Sequence, residues 1–153
     1  MKAVLQRVSE AAVSVDGEDV GAIGLGLLVL LAVERGDGER EVEKMVRKIA
    51  GLRVFSDERG RMNLALSAVG GSVLAISQFT LAATLERGFR PSFDGAEEPE
   101  RARHLFECFC QRLAEAGVPV ATGRFGADMR VRLINEGPVT FVLEFAASTD
   151  DAT

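Results

Sequence analysis

The longest apolar run in the chain, Leu25 to Val33, makes the strictest demand on its fold. Its nine residues are too few to cross a bilayer, which takes about 20. The run also lacks the alternation of a strand with one wet face, so it reads as a central strand buried on both sides. Something must then cover each face. Residues 39–51 switch to helical spacing, with Val42, Met45, Val46 and Ile49 on one side and Gly51 as the stop. Residues 99–116 predict a second helix, opened by Pro99 and carrying Ala102, Leu105, Phe106, Phe109, Leu113 and Ala116 as its apolar stripe.

The remaining pattern is β. Strands are predicted at 2–8 and 11–15, with Asp16-Gly17 as a hairpin turn into a strand at 18–23. Short strands at 52–56 and 73–78 flank the turn-rich "SDERGRMN", and further strands fall at 118–123, 130–135 and 139–145. Many strands with two main helices, in no regular βαβ alternation, indicate an α+β single domain with barrel-like sheets. At 153 residues the chain is long enough to bury one sizeable core. That domain is expected to span 1–145, with 146–153 an acidic, disordered tail that offers nothing large to bury.

Composition removes several functional classes. A formal charge of −5 argues against a protein coated for nonspecific nucleic-acid binding. It leaves room for a local basic face, either Lys44, Arg47 and Lys48 on the outer side of the first helix or Arg87 and Arg90 in a loop. The start "MKAVLQRVSE" is strand-like and carries no export signal, so a cytoplasmic protein is expected. Cys108 and Cys110 point to different faces of a helix, which suits neither a disulfide nor a zinc clip. His104 is the only histidine and sits beside the buried stripe, a packed or surface position. No catalytic triad, metal cluster or cofactor motif appears. The glycines of "GAIGLGLLVL" miss the dinucleotide fingerprint because Val29 stands where the third glycine belongs.

What remains is small and polar. "ISQFTL" sets Ser77, Gln78 and Thr80 just past an apolar strand, and "RGFRPSF" at 87–93 mixes arginines with phenylalanines. Near the end, Asn135-Glu136-Gly137-Pro138 interrupts two strand-like runs. A hairpin favours Asn-Gly or Asp-Gly there, not a proline that gives up a backbone donor. Either this is an ordinary turn, or the backbone itself is a working part.

"SQFTL" at 77–81 together with "NEGPVT" at 135–140 resembles the paired signature of the D-aminoacyl-tRNA deacylase (D-tyrosyl-tRNA deacylase) family, bacterial and eukaryotic type. The resemblance continues through "MKAVLQRVS", "GRMNL", "RPSF" and "TGRFGADM", in order, over about residues 1–145. It implies a cofactor-free, metal-free hydrolase that cleaves the ester between a D-amino acid and the terminal adenosine of tRNA, and that also clears glycine mischarged on alanine tRNA. The implied partners are the aminoacyl-tRNA acceptor end and a second copy of the chain, with no membrane role. In that homodimer a cis Gly137-Pro138 peptide reaches into the partner's site as a chiral filter. Asn135 and Thr140 would frame it and Arg7 would secure it. Ser77, Gln78, Phe79 and Thr80 would line the catalytic wall, and Phe125 and Met129 the adenosine pocket.

A physical reason supports such a filter. Gly-Pro is among the few pairs in which a cis peptide is cheap, and its carbonyls then form a rigid main-chain edge. An L-side chain would strike that edge, a D-side chain would point away, and glycine would pass. Aminoacyl esters are activated, so main-chain donors near Phe79 and Thr80, with the adenosine 2′-hydroxyl positioning water, are the expected machinery rather than a Thr80 nucleophile without a base. A noncatalytic dimeric nucleic-acid-binding module of the same fold, or a hydrolase of other acyl esters, stays open at this stage.

Overall fold

The demand made by residues 25–33 is met by a strand with a different core on each face. The computed structural model describes residues 1–147. In it, β3 (Gly26–Ala32) lies at the middle of a six-stranded sheet that also contains β1 (Lys2–Val15), β2 (Glu18–Ile23), β6 (Ser72–Ser77), β7 (Val120–Thr122) and β8 (Arg130–Glu144). The order is β2-β1-β3-β6-β7, with β8 on the other edge of β1. Leu27, Val29 and Leu31 join the larger core, beneath helices α1 (Glu39–Gly51) and α3 (Pro99–Glu115). Leu28 turns the other way, with Val8, Val13, Leu74 and Ile76, into a smaller core inside the curved sheet. Each fully buried leucine or valine in these layers contributes roughly 1.5–3 kcal/mol over exposure.

The sheet curls until it nearly closes. At Gly21 of β2 an added Cβ would run into the Thr122 carbonyl of β7, so the two ends of the sheet approach at a residue without a side chain. β3 and β6 are parallel, as are β6 and β7, whereas β1 pairs antiparallel with β2, β3 and β8. A two-stranded ribbon, β4 (Phe55–Ser56) with β5 (Met62–Leu64), and a one-turn helix α2 (Leu66–Val69) fill the connection to β6.

Several sequence expectations change in detail. The buried run begins at Gly26, with Leu25 42% exposed, and the predicted strands at 52–56 and 118–123 contract to Phe55–Ser56 and Val120–Thr122. Residues 2–8 and 11–15 are one strand, because β1 keeps β8 along one edge while its other edge passes from β3 to β2. Residues 130–135 and 139–145 are likewise one strand, Arg130–Glu144, whose register against β1 slips where Asn135 to Thr140 intervene. Ala116 is exposed as the cap of α3 and not part of its buried stripe, the other five of which are buried as expected. Of the expected acidic tail, residues 148–153 lie outside the described residues.

The α-ammonium of Met1 is built into the core. It is fully buried and donates to Asp37 Oδ1 at 3.0 Å and to the Phe145 carbonyl at 2.7 Å, with Glu34 Oε1 at 3.2 Å. Asp37 also accepts the Glu34 amide at 2.7 Å. Burial pushes the Asp37 carboxyl above its usual range, against the opposing pull of the ammonium and that amide.

Both cysteines are free. Burial, reinforced by the nearby Glu107 carboxylate, pushes the Cys110 thiol up to about 12. Because the thiolate is the nucleophile, Cys110 should resist alkylation by iodoacetamide at pH 8 in the folded protein and react only after denaturation. Peptide mass spectrometry with and without urea reads this directly; rapid native labelling would contradict the burial.

Candidate active site

β6 ends at Ser77, and the chain is then pinned back to the sheet by the Gln78 amide donating to the Leu31 carbonyl at 2.8 Å. A 3₁₀ turn, Phe79–Ala82, follows at once. Its first internal bond runs from the Leu81 amide to the Gln78 carbonyl at 3.2 Å, so the amides of Phe79 and Thr80 come before it and have no acceptor within the turn. The Gln78 side-chain amide donates to the Thr80 hydroxyl at 2.5 Å. That partner orients the hydroxyl but takes no proton from it.

A cavity of about 430 Å³ opens beside this turn. Ser77, Gln78 and Phe79 form one wall, and Phe125 and Met129, from the loop before β8, form another. Phe125 is held by Phe106 at 6.3 Å between ring centroids and by the Arg103 guanidinium 5.2 Å above its ring. Phe79 is braced by Phe93 in an edge contact at 5.1 Å. The structure therefore brings together five of the expected site residues, with Thr80 attached through Gln78.

It also adds residues that the sequence did not reveal. Glu97 and Pro99 line the same cavity from the start of α3. Glu97 is tied to Arg101 at 3.2 Å, and its amide donates to the Val33 carbonyl at 3.1 Å. In the sequence it is one of several acids in "DGAEEPE", and only the pinning of the segment before α3 to Val33, just past β3, singles it out. His104 is exposed and lies outside this lining.

The other expected residues gather elsewhere. The Gly137-Pro138 peptide is cis. Asn135 closes the loop across its base: its side-chain oxygen accepts the Val139 amide at 2.7 Å, and its nitrogen donates to the Val139 carbonyl and the Thr140 hydroxyl, both at 3.2 Å. Arg7 Nε donates to the Glu136 carbonyl and its Nη1 to the Val54 carbonyl, each at 2.8 Å. Arg7 thus holds the loop on one side and the segment after α1 on the other.

These two clusters do not meet within one chain. On β3, Leu27 pairs with Arg7 while Leu31 pairs with Ser77. Four residues along the strand and two strand spacings across put the Arg7 and Ser77 backbones roughly 15–20 Å apart.

The family model described as D-Tyr-tRNA(Tyr) deacylase matches residues 4–144. The chain belongs to this family. A D-aminoacyl-tRNA deacylase of Magnetococcus marinus is 61% identical over 145 residues, covering 94% of this chain and 96% of that protein. Another from Geobacter sulfurreducens is 56% identical over 144 residues, covering 94% and 95%. Membership in the D-Tyr-tRNA(Tyr) deacylase family makes the chain a deacylase, a hydrolase by class. Among solved structures, one described as c-Myc DNA Unwinding Element Binding Protein aligns with a TM-score of 0.90 at 41% identity, covering 96% of this chain and 100% of that one. A probable eukaryotic D-amino acid tRNA deacylase aligns with a TM-score of 0.82 at 17% identity over 93% of this chain, which shows the shared fold.

Proposed function

We propose that this deacylase hydrolyses the ester joining a D-amino acid, or glycine on alanine tRNA, to the terminal adenosine of tRNA, and rejects L-aminoacyl-tRNA. The cavity receives the adenosine between Phe125 and Met129, where an aromatic face and a thioether suit a nucleobase. Glu97 offers an acceptor to its amino or hydroxyl groups. The ester carbonyl then lies against the start of the 3₁₀ turn. Water attacks its carbon, the oxyanion accepts hydrogen bonds from the Phe79 and Thr80 amides, and collapse expels the 3′-oxygen of the adenosine, which takes up the proton that the attacking water gives up. The neighbouring 2′-hydroxyl positions the water, and Thr80, held by Gln78, is an orienting group without a base to make it a nucleophile.

The observation that carries this reading is the division of the expected site between opposite ends of β3. A homodimer in which the Gly137-Pro138 loop of one copy enters the pocket of the other would join the halves. Arg7 and Asn135 brace that loop from its base and leave its tip free to project. Its carbonyl edge would then meet the substituent on the α-carbon and discriminate by collision.

The test compares hydrolysis of D-tyrosyl-tRNA and L-tyrosyl-tRNA with a chelator present. A D-to-L ratio of kcat/KM at least on the order of a hundredfold is expected. Binding of tRNA without hydrolysis of either form would favour a noncatalytic module, the reading suggested by the DNA-element-binding name of one similar structure. His104→Ala should leave turnover within about twofold of wild type, since the side chain is exposed and outside the cavity. A loss on the order of a hundredfold, the scale of a missing general base, would overturn this mechanism.

A further inference from the structure

A second concavity, of about 580 Å³, lies between the C-terminal half of α1 and the end of β8. Lys44, Arg47, Lys48 and Arg53 line it, with Gly51 and Phe145, and no carboxylate does. Four cations around one groove stand out in a chain of net charge −5. The segregation is built into α1. Its acids are drawn away: Glu39 and Glu43 pair with Arg112 of α3 at 3.4 and 3.2 Å, and Glu41 caps the Gly38 amide at 2.8 Å. Three of its bases, Lys44, Arg47 and Lys48, line the groove.

A solvated helix face would explain part of this, and Lys48 in the last turn also complements the helix dipole. Arg53 fits neither explanation. It comes from the segment after the helix, yet it converges on the same concavity as the helical cations. Gly51, between them in sequence, has open space where a Cβ would stand, so a ligand can approach the main chain there. Arg87 and Arg90, the other basic pair, share their loop with Glu86 and line none of the cavities described above.

We infer that this groove binds the sugar–phosphate backbone of RNA, namely the acceptor arm of the tRNA whose 3′ end occupies a catalytic pocket; this rests on the hydrolase reading above. Position supports the assignment. Arg53 precedes Val54, whose carbonyl is held by Arg7, and Arg7 also holds the base of the Gly137-Pro138 loop. In the proposed dimer that loop enters the partner's pocket. RNA leaving that pocket therefore meets the groove of the subunit that lent the loop.

The experiment measures binding of deacylated tRNA by fluorescence anisotropy from about 50 to 200 mM salt, for wild type and for the quadruple variant K44Q/R47Q/K48Q/R53Q. Contacts to about three phosphates predict that the variant loses at least tenfold in affinity at the low-salt end and that its log–log salt slope shrinks by about 2–3. Hydrolysis of a D-aminoacyl-adenosine, which carries no phosphate, should stay within about twofold, showing an intact pocket. The double variant K44E/K48E, with a thermal melt, guards against a folding defect in the quadruple one. Unchanged affinity and slope overturn the groove, as does an equal loss on D-aminoacyl-adenosine. Loss of tRNA binding in R87Q/R90Q but not in the groove variants also overturns it, and so does loss of phosphatidylserine-vesicle binding with tRNA binding intact. If the groove variants lose tRNA while wild type hydrolyses neither D-substrate, the groove stands and the hydrolase reading falls.

Discussion

Replacing Asp37 with alanine should destabilise the fold by about 3 kcal/mol, the lower end for removing one partner of a buried ion pair. For a chain of this size that lowers Tm by roughly 6–12 °C. The Met1 ammonium is fully buried, and Asp37, itself 1% exposed, supplies two of its closest contacts. Glu34 and the Phe145 carbonyl remain to it, which keeps the loss from being larger. The pH dependence should distinguish this pair from a surface bridge. Because burial raises the Asp37 pKa, the stability linked to its titration is fully present below the unfolded value and fades as pH rises through the folded one. The gap between wild type and Asp37→Ala should therefore be at least as wide at pH 4 as at pH 7. A gap that closes in acid would mean that the carboxylate behaves as an exposed ion-pair partner.

Gly137→Ala should leave the fold standing and disable the enzyme. Gly137 has φ of +157°, and a Cβ there would approach both the Val139 amide nitrogen and its Cγ2 to 2.5 Å. The amide nitrogen cannot yield without disturbing its bond to Asn135, which closes the loop. The loop is exposed, so Tm should fall only modestly. A displacement of about 1 Å in a positioning element typically reduces rate on the order of a hundredfold, and kcat/KM on D-tyrosyl-tRNA should fall by at least that much. A variant within threefold of wild type would place the loop outside the chemistry.

The chain's sequence and its structure differ in an instructive way at β1. The polar pair Ser9 and Glu10 looks like a break between two strands, because local periodicity registers only that alternation fails. In the fold the strand continues while its neighbour on one edge changes from β3 to β2. A change of partner is a long-range event and leaves no local mark. Helix α1 was readable to its last residue because its apolar stripe and Gly51 act locally. The wall at 77–80 and the loop at 135–140 were legible through resemblance and not through any single residue's chemistry. Glu97 in the pocket and Asp37 at the buried ammonium were hidden for one reason. Each depends on a partner distant in sequence, Val33 just past β3 or the chain's first residue, and acidic residues in turns carry no signal of what they will meet.

The distance between the Ser77–Thr80 wall and the Gly137-Pro138 loop has a genetic consequence. In the proposed dimer each chain lends its loop to its neighbour, so a loop defect silences the partner's pocket and spares its own. Two inactive proteins should then rescue one another. Mixing a chain disabled in the wall with one disabled in the loop, under conditions where subunits exchange, yields mixed dimers with one pocket made of two sound parts. Random pairing should restore about a quarter of the wild-type pockets. A site contained within a single subunit would restore none.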